Sequence, residues 1–208
     1  ISTRDWSSDV CSSDLDKVIV STDSIDIAET AKSFGADVPF IRPRTLATDE
    51  SPEWKSWQHA LDFLRVSTGC LPDTFVSIPT TSPLREKVDI ENCLDLYFEG
   101  NCDAVVTVTE SRRNPYFNIV SKGGKGFLSR ISRPTEVFSR RQEAPRTFDL
   151  TTVCYVVDSE FILHADSLFE GRVLAVEVPQ ERAVDIDTKT DFDFCRFLLH
   201  EKVNVNED

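Results

Sequence analysis

The chain has 208 residues, 40% hydrophobic and 28% charged, with a formal net charge of −13; that suits one well-cored domain and would crowd two. No apolar run approaches the roughly 20 residues that cross a bilayer, and no basic start precedes an apolar stretch, so a cytoplasmic protein without a membrane partner is expected. The negative charge argues against nucleic acid as a partner, because phosphate backbones attract basic surfaces, yet it leaves room for a nucleotide held by a local basic site and a metal.

Residues 1–15, ISTRDWSSDVCSSDL, nearly repeat Ser-Ser-Asp and show neither helical nor strand periodicity. They read as a disordered or non-native tail, and they resemble a translated sequencing adapter. From Asp16 strands and helices alternate, predicting an α/β fold with a mainly parallel sheet, as a single domain over 16–208. Lys17–Ser21 is a short strand, followed by a polar cap at Asp23 or Ser24 and a helix with Ile27, Ala31 and Phe34 at helical spacing before Gly35. Val38–Ile41 is a second strand. Ser51-Pro52 starts a helix in which Trp54, Trp57, Leu61 and Leu64 form a core stripe, and Gly69 ends it. Thr74–Ile78 is the third strand, and Ile90, Cys93, Leu94 and Tyr97 mark the next helix. Ala104–Thr109 is a fourth strand. The region of about 114–150 is glycine- and arginine-rich and reads as an excursion from the sheet, a hairpin suited to dimerisation. Val153–Val157, Val173–Val178 and a helix from about Lys189 complete the chain.

In open α/β sheets ligands bind at the carboxyl ends of strands. Three such turns are unusually polar: Ser21-Thr22-Asp23, Thr80-Thr81-Ser82-Pro83-Leu84-Arg85, and Val184-Asp185-Ile186-Asp187-Thr188. Asp185 and Asp187 share one face of an extended segment. Two adjacent carboxylates repel unless a cation or a proton relieves them, and magnesium is the natural candidate; the competing readings are solvated surface aspartates and capping of the following helix. Thr81 and Ser82 either cap a helix or, with Arg85, converge on a phosphate. Arg140-Arg141-Gln142 is either a solvated turn or a pair gripping a carboxylate or phosphate. Six cysteines lack any CxxC spacing and His59, His164 and His200 lie far apart, so zinc chemistry is not expected.

The ordered set is more specific than its parts. Ser21-Thr22-Asp23, IRPRTLATD (41–49), TTSPLR (80–85), VTVTE (106–110), NPYFN (114–118), RRQ (140–142) and AVDIDT (183–188) together resemble the acylneuraminate cytidylyltransferases, over Asp16 to about Leu199. The resemblance implies a Rossmann-like nucleotide-diphospho-sugar transferase fold and a homodimer joined through the excursion. It implies a reaction in which CMP passes from CTP to a nonulosonic, sialic-acid-type α-keto acid with release of pyrophosphate. It assigns Arg42, Asp49, Ser51, Thr81, Ser82 and Arg85 to the nucleotide and Thr80, Arg141 and Tyr155 to the sugar. Asp185 and Asp187 fall at the Mg2+ pair, and with Arg141 they make up the catalytic set.

Three departures stand beside it. The family opens with a glycine- and lysine-rich phosphate loop, of the form ARGGSKGIPxKN, whose place and first strand are taken here by residues 1–15; a chain without them is expected to be inactive or nearly so. Pro79 stands where the family often has a sugar-contacting glutamine, and Asp149 where it often has an arginine. The alternatives are a cytidylyltransferase for another keto sugar acid, or a catalytically dead nucleotide-binding or dimerisation module.

Overall fold

The computed structural model describes residues 17–132 and 140–205. The reading of residues 1–15 as a foreign tail lies outside the described residues. Five helices are described: α1 (Ile25–Ser33), α2 (Glu53–Thr68), α3 (Lys87–Glu99), α4 (Ser159–His164) and α5 (Lys189–Val205). The strands are β1 (Thr74–Ser77), β2 (Ala104–Glu110), β3 (Val120–Lys122), β4 (Leu128–Arg130), β5 (Phe148–Asp158) and β6 (Val173–Glu177). Four of them form one sheet in the order β1-β5-β2-β6, and β3 pairs only with β4.

The sheet is mixed, where a mainly parallel one was expected. Ala104 donates to Arg172 O and Val178 to Val108 O, so β2 and β6 advance together. By contrast Asp158 donates to Asp103 O and Ser111 to Thr147 O, so β5 runs against β2. The connection explains the reversal. Among the described residues between β2 and β5 the chain makes a hairpin and no crossover α-helix, so it re-enters the sheet at the end it left.

The chain divides into two compact units. The first contains the chain through Val76 with Tyr97–Ala104 and Val156–Val173. Its core is the α2 stripe. Trp54, Trp57, Ala60 and Leu61 are buried; Trp54 stacks edge-on to Phe161 of α4 and donates its indole N–H to Ala165 O at 2.9 Å. Gln58 Nε2 reaches Ile162 O at 2.8 Å, so the indole and the amide tie α2 to α4 while the apolar stripe is withdrawn from water. Gly69 closes α2 at φ +75°, the left-handed conformation that a residue with a Cβ adopts at a cost. The expected strands at 17–21 and 38–41 reduce to one parallel bridge, Ile19 with Asp37. Pro39 has no N–H to extend that ladder. In α1 the Ser24 cap is as expected, but the packed residue is Ala28; Ile27 and Phe34 are exposed.

The second unit holds Ser77–Leu96, Val105–Tyr155 and everything from Leu174 onward. Val105, Val106, Val153 and Cys154 form its buried centre. The excursion is built on Asn114, which is 6% exposed and donates Nδ2 to Pro145 O at 2.8 Å, joining its two legs. Beyond it β3 and β4 pair antiparallel with Val120 opposite Arg130.

Candidate functional site

In the first unit the Ser21-Thr22-Asp23 turn meets Arg42. The Arg42 N–H donates to Thr22 O at 2.8 Å, and its guanidinium reaches Ser56 Oγ at 3.3 Å and Asp23 at 3.9 Å. Arg42 is therefore held in place by α2 and by the first polar turn. Asp49 is exposed and Ser51 half-buried, just ahead of α2, which starts at Glu53.

In the second unit the other two polar turns lie side by side. The Ile186 N–H donates to Thr81 O at 2.9 Å, which sets AVDIDT against TTSPLR. Thr80 is exposed and Thr81 half-buried. Ser82 is fully buried, and its hydroxyl lies 2.6 Å from Thr152 Oγ1, so the side chain anchors the turn to β5. Arg85 is 5% exposed and donates to the carbonyls of Pro79 and Thr152. Burial lowers its pKa to about 10, against the opposing pull of Cys154, Asp185 and Asp89. A buried cation thus sits beneath the turn, within electrostatic reach of Asp185.

Capping of α5 is carried by other residues. Thr188 Oγ1 and N–H both donate to Asp191 Oδ2, at 2.7 and 2.8 Å, and the Asp191 N–H returns to Thr188 Oγ1 at 3.3 Å. This is a reciprocal capping box, and those hydrogen bonds hold the Asp191 carboxyl below its ordinary value. The box leaves the Asp185 and Asp187 side chains without a capping duty. Asp187 is exposed, whereas Asp185 Oδ1 is buried with no hydrogen-bond partner. A buried carboxylate oxygen without a hydrogen-bonding partner has acceptor capacity to spare for a cation or a water. A hard cation fits it, since magnesium takes one or two protein carboxylates and completes its shell with water and phosphate oxygens. Among the described residues no group of three or more His, Cys, Asp or Glu side chains is placed to hold a metal ion.

Beside this pair is a cavity of about 470 Å³ whose lining includes Thr109, Arg112, Arg113, Asp149, Gln180 and Val184. Arg112 Nε donates to Gln180 Oε1 at 2.9 Å, and Ser111 Oγ donates to Asp149 Oδ1 at 2.7 Å. The lining carries two guanidinium groups and, with Glu110 beside Asp149, two carboxylates, a polar set that suits a polyhydroxylated ligand. Sequence reasoning passed over Arg112, Arg113 and Gln180; the polarity of the segment following β2 was the available signal.

Tyr155 is 7% exposed within β5. Arg141 opens a single 3-10 turn, Arg141–Glu143, and its side chain lies outside the described residues. Cys93 and Cys154 are both buried, and the hydrogen bond that the Cys154 thiol donates to Cys93, together with burial, holds that thiol well above its usual range. Cys154 is therefore not suited to act as a thiolate nucleophile at neutral pH.

No protein-family model matches the chain. Among curated proteins it is 30% identical over 183 residues to a CMP-N,N'-diacetyllegionaminic acid synthase of Campylobacter jejuni, covering 88% of this chain and 76% of that one. It is 27% identical over 189 residues to an N-acylneuraminate cytidylyltransferase of Escherichia coli, covering 90% of this chain and 43% of that one. Among solved structures, a CMP:2-keto-3-deoxy-manno-octonic acid synthetase complexed with CTP superimposes with a TM-score of 0.62 at 14% identity, over 96% of this chain and 87% of that one. At that identity the likeness speaks for the fold alone. No described helix is long and apolar enough to cross a membrane. Sequence and fold agree that the chain belongs to the acylneuraminate cytidylyltransferase family, nucleotidyltransferases that activate keto sugar acids with CTP.

Proposed function

We propose that this chain transfers CMP from CTP to a nonulosonic α-keto acid and releases pyrophosphate. The observation that carries the reading is the buried, unpartnered Oδ1 of Asp185 beside the Thr81 turn. Asp185 and Asp187 are the residues that would hold Mg2+, which when bound neutralises charge on the phosphates and orients them. The anomeric hydroxyl of the sugar acid forms a bond to the α-phosphorus of CTP as the bond to the β-phosphate oxygen breaks, with inversion in line. Protein residues mainly position the partners. Thr80 and Thr81 are the hydroxyls available to a ligand; Ser82 and Arg85 shape the floor beneath them. Arg42, Asp49 and Ser51 serve the nucleotide. Arg141 and Tyr155 serve the sugar, whose carboxylate the Arg112–Arg113 side of the cavity also suits.

Two further features belong to this reading. The exposed apolar residues of the excursion, Phe127 and Leu128 foremost, support a homodimer. The legionaminic relative supports a bacterial nonulosonic acid over an eight-carbon keto acid.

The test is pyrophosphate release from CTP and Mg2+ against a panel of nonulosonic and eight-carbon keto acids. It is run on the chain as it stands and on a version with an ARGGSKGIPxKN-type loop ahead of Asp16, so the outcome does not depend on residues 1–15. Release that needs both a sugar acid and Asp185 is expected from the loop-bearing version. No release with any acid, from folded protein of either version, would leave the binding-module reading in its place.

A further inference from the structure

The segment carrying Asp185 and Asp187 is a loop between β6 and α5, and loops hold a carboxylate in a fixed direction only when something outside them does so. Two long-range anchors flank Asp185 most closely, besides the bonds of Gln180 to Glu110 O and of the Asp187 N–H to Asp191. At one end the Ile186 N–H is bound to Thr81 O at 2.9 Å. At the other, Arg182 reaches across to the first turn of α3. Its Nη2 lies 2.8 Å from Asp89 Oδ1, and its Nε lies 2.9 Å from Oδ2 and 3.1 Å from Oδ1. Nη1 adds Glu86 Oε2 at 3.4 Å. Asp89 is 1% exposed and also accepts the Glu86 N–H at 2.9 Å, so its carboxylate is locked before Arg182 arrives. The fork then fixes both the position and the angle of Arg182, as a planar guanidinium does and an ammonium does not.

The geometry follows from these two anchors. Asp185 lies three residues after Arg182 and one before Ile186, on the short stretch between them. Both anchors rest on the same support, since Thr81 and Asp89 belong to the continuous segment that leads from the TTSPLR turn into α3. We propose that Arg182 is a positioning residue, which through its bidentate pair with Asp89 holds the Asp185 and Asp187 carboxylates in register with the TTSPLR turn for metal binding. The proposal rests on the metal reading of those two aspartates given above. It assigns a role to a residue outside every motif of the sequence. It also separates that role from the plainer one, in which Arg182 only neutralises a buried carboxylate.

The two roles part in a metal-binding measurement. Mn2+ is titrated into the full chain, and its free-ion paramagnetic resonance signal is followed alongside thermal unfolding. Arg182→Gln is expected to raise the half-saturating Mn2+ concentration about tenfold, within the range for residues that orient metal ligands, and Arg182→Lys by a smaller factor. The pair D89N/R182Q removes both charges while keeping polar groups in place. It is expected to recover the thermal midpoint lost in Arg182→Gln and not the Mn2+ affinity. Recovery of both in the double variant, or unchanged affinity in Arg182→Gln, would overturn the proposal. Unchanged Mn2+ binding in Asp185→Asn would remove the metal reading itself, and the proposal with it.

Discussion

The Ile186 N–H donates to the carbonyl of Thr81 at 2.9 Å, and this one bond brings together two segments that are 105 residues apart in sequence (186 − 81). It places a hydroxyl-rich turn and a pair of carboxylates at the same end of the sheet. The proposed chemistry would use such an adjacency, since phosphate oxygens and a cation need donors and acids within reach of one another.

Asp185→Asn should separate function from stability. Its Oδ1 is buried without a hydrogen-bond partner, so the substitution breaks no hydrogen bond at that atom and lowers the cost of desolvating it. The thermal midpoint should hold or rise, while Mg2+-dependent pyrophosphate release falls roughly a hundredfold or more. A fall in the midpoint with activity retained would mean that Asp185 is a structural residue.

Ser82→Ala and Thr80→Ala should behave in opposite ways. Ser82 is fully buried and spent on Thr152, so its loss should cost about 1–3 kcal/mol in chemical denaturation. The KM for CTP should barely change. Thr80 is exposed, so its loss should leave stability alone and raise the KM for a substrate. A Ser82→Ala variant with native stability and a raised KM would return Ser82 to direct ligand contact.

Much of this was legible in the sequence, for local reasons. Pro52 and Gly69 bracket α2 because a proline tolerates a helix start and a glycine a left-handed stop. The two tryptophans fall on its buried face because their spacing is helical. AVDIDT stood out as two acids on one side of an extended segment. What stayed hidden is non-local. Nothing in Phe148–Asp158 says that it runs antiparallel, because a buried strand reads the same in either direction. Arg182 and Asp89 are 93 positions apart, and each alone looks like an ordinary surface charge. Ser82 read as either a helix cap or a nucleotide contact because its neighbours allow both; the hydroxyl it meets in the fold, that of Thr152, lies 70 positions away.

Acid should weaken the first unit through Asp103. Hydrogen bonds from Arg172, including Nη2 to Oδ1 at 2.8 Å, lower the Asp103 pKa to about 2 from the ordinary 3.8. The folded state therefore binds fewer protons between those values, so this contribution is complete above about pH 4 and is lost as pH falls toward 2. The gap in thermal midpoint between wild type and Asp103→Asn should be constant near neutrality and close across that window. A gap that persists at pH 2 would show that the pair is not the source.

The excursion should set the oligomeric state. Phe127 is 78% exposed, Leu128 65% and Ile131 61%, an unusual concentration of apolar surface on and just after a two-stranded hairpin. A hairpin alone is marginally stable in water, and packing against a second copy would supply the missing apolar contact. Phe127→Asp with Leu128→Asp should convert a dimer to a monomer in sedimentation analysis and leave the thermal unfolding of the rest of the chain nearly intact. Wild-type chain that sediments as a monomer at micromolar concentration would instead leave that surface to a different partner, and would take the homodimer out of the proposed function.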